Sequence, residues 1–286
     1  MTHVLILSSH VAASRVGGRV AVSALEARGI DATFCPTVLL GRHPGHGAPG
    51  GGPVPAEQFA AMLDGVKSHG MYGRFNAVLT GYFASVEQVE IAAAAIEAIR
   101  QTPKYTTGAA VILDEPLIVV DPIIGDHGAL YVDEKIAAAI RDRLVPLANL
   151  ITPNAFELAW LSGMDVSTPS GFIAAASGIA PVTFMTSARF DDRFGTAYHA
   201  SGQAAFASHS ELDAMPNGSG DFLTAELLAE LVSGTDPATA FEIAVRNTLD
   251  VALKARDWQS RELPDIAARQ HPLHPDATID LRPLKA

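Results

Sequence analysis

Short continuous apolar runs alternate along the first two thirds of this chain with longer stretches whose apolar residues recur at helical spacing. The runs are HVLILSS (3–9), IDATFCPTVL (30–39), NAVLTGY (76–82), LIVVDP (117–122), NLITPN (149–154) and VTFMTS (182–187). Strands of a parallel sheet are covered on both faces, so they read as unbroken hydrophobic runs. Helical patterns fill the intervals at 17–29, 55–69, 85–101, 133–144, 154–163 and 168–178. Repeated strand–helix order predicts an α/β fold with a mostly parallel central sheet and helices on both faces. After residue 187 the rhythm changes. GTAYHA and QAAFASH alternate like an antiparallel hairpin, and helical patterns at 218–234, 236–256 and 262–269 close the chain. The segment GRHPGHGAPGGGP (41–53) is too rich in Gly and Pro for either regular element and reads as a surface loop.

Composition adds limits. With 286 residues, 48% of them hydrophobic and 18% charged, the chain can bury a large core. No charged or low-complexity linker divides it, so a single domain over 1–286 is expected. A net charge of -11 argues against nucleic acid as a partner, because phosphate contacts need clustered Lys and Arg. The single Cys35 excludes an intramolecular disulfide. The start, MTHVLILSSH, lacks the basic segment and cleavage site of a secretory signal, and no apolar run nears the ~20 residues that span a bilayer. A cytoplasmic protein with no membrane partner is the expectation.

Ligands of an open parallel sheet bind beyond the carboxyl ends of its strands, so the polar residues that close each run carry the chemistry. They are Ser8, Ser9 and His10; Thr80, Gly81 and Tyr82; Asp121 with Asp126; Thr152, Asn154 and Glu157; and Thr186 with Ser187. Taken singly, each fits an ordinary cap or turn. Together they place three carboxylates, Asp121, Asp126 and Glu157, near one edge, which costs repulsion unless a cation sits among them. Oxygen donors suit hard cations, Mg2+ or K+, and the absence of clustered Cys and His argues against zinc.

Neither G-x-x-x-x-G-K-[ST] nor a strand-borne G-x-G-x-x-G occurs, so a phosphate needs another device. PNGSGDFLTAELLAEL (216–231) supplies one. Glycine costs about 1 kcal/mol relative to alanine inside a helix, so Gly218 and Gly220 at a helix start imply a sharp turn or a close approach. With Ser219 they would aim backbone N–H groups and the positive end of the helix dipole at an anion. Asp221 reads either as a residue complementing that dipole or as a base where a hydroxyl meets a transferred phosphoryl group.

These motifs, in this order, resemble the pyridoxal kinases of the ribokinase-like superfamily. SHVAASRVGG matches an S-H-V start, TGYF a T-G-Y, DPIIGDHGALYV a D-P-V-x-G-D with its flap, ITPNAFEL an I-T-P-N-x-x-E, and NGSGD a G-T-G-D. The resemblance spans nearly the whole chain. It implies a three-layer α/β/α sandwich, a homodimer, and ATP-dependent phosphorylation of the 5'-hydroxymethyl group of pyridoxal. It makes Asp221 the base and the amides of Gly218, Ser219 and Gly220 the anion hole. Asp121, Asp126 and Glu157, with oxygens from Thr152 and Thr186, would manage Mg2+ and a monovalent cation such as K+. Asn154, Thr186 and Ser187 would face ATP beside Asp121, Glu157 and Ser219. Ser9 and Tyr82 would face the pyridine ring, with the HGALYV segment as a flap over ATP.

Departures fall on the acceptor side. The family's N-H-T-x-Y-G is replaced by Arg42-His43-Pro44-Gly45-His46-Gly47, which removes a threonine hydroxyl at Pro44 and leaves His43 as a neighbouring donor. Ser14 stands for a usual Gly, Gly18 for a usual Asn, and Ser219 for a usual Thr. Two other readings remain open at this point: a kinase of another small hydroxymethyl compound such as hydroxymethylpyrimidine, and a non-catalytic protein that binds pyridoxal phosphate or nucleotide. An intact Asp221 weighs against the second, since a binder gains nothing from a base.

Overall fold

The computed structural model describes residues 2–104, 115–212 and 215–285. Its elements follow the expected alternation: β1 (His3–Val11), α1 (Gly17–Glu26), β2 (Asp31–Leu40), β3 (Gly51–Pro53), α2 (Ala56–Ser68), β4 (Ala77–Thr80), α3 (Val86–Gln101) and β5 (Leu117–Val120). A small ribbon of β6 (Gly125–Asp126) and β7 (Ala129–Leu130) precedes α4 (Glu134–Ala139), β8 (Leu150–Ile151), α5 (Ala155–Ser162), α6 (Pro169–Ile179) and β9 (Val182–Phe190). Then come β10 (Arg193–Ala200), β11 (Gln203–Ser208), α7 (Ser219–Val232), α8 (Pro237–Asp257), α9 (Asp265–Ala268) and β12 (Asp280–Pro283).

All but β6 and β7 join one ten-stranded sheet in the order β12-β11-β10-β9-β8-β5-β4-β1-β2-β3. The six strands from β2 to β9 in that order are parallel, and both edges are antiparallel additions. Alternate residues of each strand point to opposite faces, which divides the core in two. Val4, Ile6, Ala77, Leu79 and Val119 pack with α1, α7 and α8, while Leu5, Leu7, Val78, Ile118 and Val120 pack with α2, α3 and α4. This is the three-layer sandwich the sequence implied. Among the described residues no helix is long and apolar enough to cross a membrane.

Several expectations need correction. The 41–53 segment is not wholly loop: Pro44–His46 forms a single helical turn, and Gly51–Pro53 pairs antiparallel with Val38–Leu40 as an edge strand. Gly51 makes that possible, with φ 78 and room for no Cβ, which would lie 2.0 Å from the Leu39 carbonyl oxygen. The expected helix at 262–269 shrinks to α9 and begins only after Pro264, which cannot donate to a preceding turn. The 133–144 helix ends in a π turn over Ile140–Leu144. Strand β12, in a stretch for which the sequence pattern predicted no element, pairs with the outer edge of β11.

Candidate active site

Strand β1 lies between β2 on one side and β4 on the other, so the direction of winding reverses there. Crevices outside the carboxyl ends of strands open at such points. Here the start of α7 drops into the crevice, and a small cavity is lined by Ser8, Gly17, Thr80, Gly81, Asp121, Asp221 and Thr224.

Two glycines let α7 arrive. Gly218 is its N-cap with φ 87, and a Cβ there would sit 2.1 Å from the Arg15 carbonyl oxygen. Gly17, the first residue of α1, has φ 58, and a Cβ would sit 2.1 Å from Ser9 Oγ. Gly17 and Asp221 line this cavity together, and the backbone N–H of Gly17 favours the charged form of the Asp221 carboxyl. Burial nevertheless dominates and pushes the Asp221 carboxyl up to about 6. Nothing described lies within 4 Å of where a side chain on Gly220 would begin, so the helix start is open to an approaching group at that residue. Ser219 is turned the other way: its hydroxyl donates to the Pro216 carbonyl at 2.7 Å, and its N–H points to the same oxygen at 3.3 Å.

Asp121 follows β5 and is buried. Its carboxyl is raised well above the usual range by burial first, then by the charges of Asp221 and Glu157, against the pull of the Thr224 and Thr152 hydroxyls. Thr224 Oγ1 lies 3.3 Å from Asp121 Oδ2 and 2.9 Å from Thr152 Oγ1. Thr80 Oγ1 is buried in the same crevice without a hydrogen-bond partner. From the β6–β7 ribbon side comes Tyr131, 55% exposed, whose phenol is raised by partial desolvation and by the facing carboxylates of Glu157, Asp121, Asp221 and Asp126.

Glu157 is held by its local fold. Asn154 caps α5 by accepting the Glu157 N–H at 2.9 Å, and Glu157 Oε2 accepts the Asn154 N–H at 2.9 Å, a reciprocal capping box. Glu157 Oε1 accepts from Ile124 at 2.8 Å and Gly125 at 3.3 Å. Burial still pushes this carboxyl up to about 7. Asn154 Nδ2 donates to the Gly125 carbonyl, 2.8 Å, and Asn154 bridges to Thr186, so the ribbon, the α5 start and the middle of β9 meet. Ser187, next along, is exposed with φ 53. Asp126 lies at the rim, half exposed, accepting the His127 N–H.

The residues expected on the acceptor side are more scattered. Tyr82 follows β4, its carbonyl accepting from Thr37 Oγ1 at 2.6 Å. Ser8 rather than Ser9 lines the cavity, because Ser9 lies under Gly17 and successive strand residues face opposite ways. His43 accepts the Gly45 N–H at Nδ1, 3.1 Å, capping the turn that Pro44 opens, and no residue of 42–47 lines the cavity. Sequence reasoning overlooked Gly17 and Thr224, and had Tyr131 only as part of the HGALYV flap. For Gly17 the signal was available: a glycine pair opening a predicted helix is the same feature that drew attention to Gly218. Thr224 carried none, since a threonine in an apolar helix is common.

Three acidic or imidazole groups close enough to enclose a metal by themselves do not occur among the described residues. Asp121, buried beside Asp221 and Glu157, is the carboxylate that would serve a Mg2+ ion, which keeps waters and takes one or two protein carboxylates plus substrate phosphates.

A parallel sheet between helical layers, with a helix start and buried carboxylates at its switch point, is the architecture of ribokinase-like small-molecule kinases. The phosphomethylpyrimidine kinase family model matches residues 58–260. A pyridoxine/pyridoxal/pyridoxamine kinase from Bordetella avium is 34% identical over 271 residues, covering 91% of this chain and 88% of that protein. A pyridoxal kinase from Corynebacterium diphtheriae is 29% identical over 282 residues, covering 96% of each. Among solved structures, the pyridoxal kinase of Leishmania donovani in complex with ADP and ginkgotoxin superposes with a TM-score of 0.86 at 26% identity, covering all of both chains. The chain belongs to the phosphomethylpyrimidine kinase family and, within it, to the pyridoxal kinases.

Proposed function

We propose that this protein transfers the γ-phosphoryl group of ATP to the 5'-hydroxymethyl group of pyridoxal, giving pyridoxal 5'-phosphate and ADP, with Asp221 as the base. The observation that carries this reading is Asp221 at the start of α7, lining one small cavity with Gly17 and buried Asp121. Asp221 takes the proton of the acceptor hydroxyl as its oxygen forms a bond to the γ-phosphorus and ADP leaves. The proton then passes from Asp221 to water. The backbone N–H groups of Gly218 and Gly220 stabilise the charge on the transferred group, with Gly220 the most open to it, whereas the Ser219 N–H is taken by the Pro216 carbonyl. In this reading the Ser219 hydroxyl braces the turn through Pro216 rather than touching phosphate.

Asp121, with Thr152, would hold Mg2+. Asp126, Glu157 and Thr186 would complete the surroundings of the divalent ion and of a monovalent one such as K+. The ions would supply charge neutralisation between the phosphates. Asn154, Thr186 and Ser187 face the nucleotide; Ser9, Tyr82, His43 and Pro44 lie on the acceptor side. Leishmania donovani pyridoxal kinases have been seen with ADP together with pyridoxine and with pyridoxamine, which supports an acceptor of this class. A single kinase domain over 1–286, a homodimer and a cytoplasmic location complete the reading.

ATP consumption by the purified protein, measured with pyridoxal, pyridoxine, pyridoxamine and hydroxymethylpyrimidine, tests it. Fastest turnover of pyridoxal at the lowest KM is expected. Turnover of hydroxymethylpyrimidine alone would transfer the reading to that substrate, which the changed 42–47 loop would then explain.

A further inference from the structure

Residues 11–17 run between the acceptor loop and the phosphoryl-transfer centre, and one side chain from far along the chain holds their middle. Glu262, between α8 and α9, accepts the backbone N–H of Arg15 at Oε2, 2.8 Å. Its Oε1 lies 3.8 Å from His46 Nε2. The Arg15 guanidinium reaches Asp265 at 3.7 Å, and Asp265, itself 1% exposed, accepts a 2.5 Å hydrogen bond from Ser23 of α1. On either side of this anchor the segment touches functional elements. Upstream, the N–H groups of Ala12 and Ala13 pair with the carbonyls of Leu40 and Gly41, at the base of the 42–47 loop. Downstream, the Arg15 carbonyl is packed against Gly218, and Gly17 lines the cavity together with Asp221.

We propose that Glu262 is a positioning residue for phosphoryl transfer. By holding the Arg15 N–H it fixes residues 15–17, which set Asp221 and the N-cap of α7, and through His46 it ties the acceptor loop to the same segment. The inference rests on Asp221 being the base. Gly17 has no side chain to restrain it and sits at positive φ, so this short run depends on outside anchors. A backbone N–H to a carboxylate is among the stronger hydrogen bonds, about twice a neutral one. Arg15 and Gly17 are two residues apart, at most roughly 7 Å of chain, so a slip at one reaches the other. Misplacing a reacting group by 1 Å can cost about 10²-fold in rate. The His46 contact is half exposed on both sides and contributes far less.

Three full-length variants test this: Glu262→Ala, Glu262→Gln and His46→Gln, compared by steady-state kinetics and by amide hydrogen exchange. Glu262→Ala should lower kcat about 10- to 100-fold, leave KM for ATP within about twofold, and speed exchange in 11–17 and 216–222. Glu262→Gln keeps an oxygen for the Arg15 N–H and should stay within about threefold of wild-type kcat with native exchange. His46→Gln should raise the acceptor KM by about 2- to 5-fold. Unchanged exchange and kcat in Glu262→Ala, or an equal loss in the Gln variant, would overturn the proposal. Hydrogen exchange decides the anchoring even if the wild-type protein turns over none of the acceptors, an outcome that would instead strike the proposed function.

Discussion

Gly17, the first residue of α1, and Asp221, the third residue of α7, line the same cavity, and the Gly17 N–H favours the charged form of the Asp221 carboxyl. A side chain that only complemented its own helix dipole would need no such partner from another element. Asp221→Asn should therefore fold with undiminished melting temperature and lose kcat by about 10²- to 10⁴-fold, the usual worth of a positioned base. Near-wild-type kcat in that variant would return Asp221 to a dipole-complementing role.

Asp121 should trade stability for activity. Burial, Asp221 and Glu157 raise its carboxyl in the folded state above the unfolded value of 3.8. A group raised in this way contributes stability that is complete below its unfolded value and is lost as pH rises through the folded one. Asp121→Asn escapes that loss and can still accept from Thr224. The ligand-free variant should melt higher than the wild type at pH 8, with the gap closing toward pH 4, while kcat falls by at least about 10²-fold. A variant melting lower at pH 8 would contradict the assignment of strain to this carboxylate.

Glu157 should show the opposite balance. Its two oxygens serve three backbone N–H groups, from Asn154, Ile124 and Gly125, and glutamine keeps only one acceptor oxygen. Glu157→Gln should lose about 1–3 kcal/mol, the cost of a stranded buried donor. Because the Glu157 carboxyl is pushed up from 4.5 to about 7, its contribution fades as pH rises through that window. Thermal melts of both proteins should differ most near pH 4.5 and least above pH 7. A gap that widened with pH would refute the sign.

His43 offers a definite donor beside Pro44. Its Nδ1 is occupied by the Gly45 N–H, which leaves the proton of the neutral ring on Nε2, and burial lowers its pKa so that the neutral form prevails at pH 7. His43→Ala should raise KM for pyridoxal by roughly 2- to 13-fold with kcat little altered, the cost of one neutral hydrogen bond made equally in ground and transition states. Pro44→Thr should lower that KM in the wild-type background. If neither substitution moves KM for any acceptor, the 42–47 loop does not bind substrate.

Removal of divalent cation should stop turnover, and K+ should raise it, because Asp121, Asp126 and Glu157 otherwise repel one another and the ATP phosphates. Mg2+ with ATP should stabilise the fold by about 2.7 kcal/mol at a hundredfold excess over Kd, read as a higher Tm. Full activity in excess EDTA without K+ would remove the cation roles given to these residues.

Much of this was determined by the sequence alone. The strands announced themselves because parallel strands buried on both faces leave no polar position within the run, and β1 after His3, β4 and β5 have none before their carboxyl ends. Polar residues at those ends then marked the crevice, and two glycines around Ser219 marked the start of α7, since local backbone geometry is written in residue type. What tertiary structure decided was which groups meet. Gly17 reaches Asp221, Thr224 joins Asp121 to Thr152, and Glu262 takes the Arg15 N–H, contacts between segments whose separation in sequence no periodicity encodes. The edge strands β3 and β12 belong to the same class. Their residues have little strand preference, and pairing with an exposed neighbour, not their own composition, makes them strands.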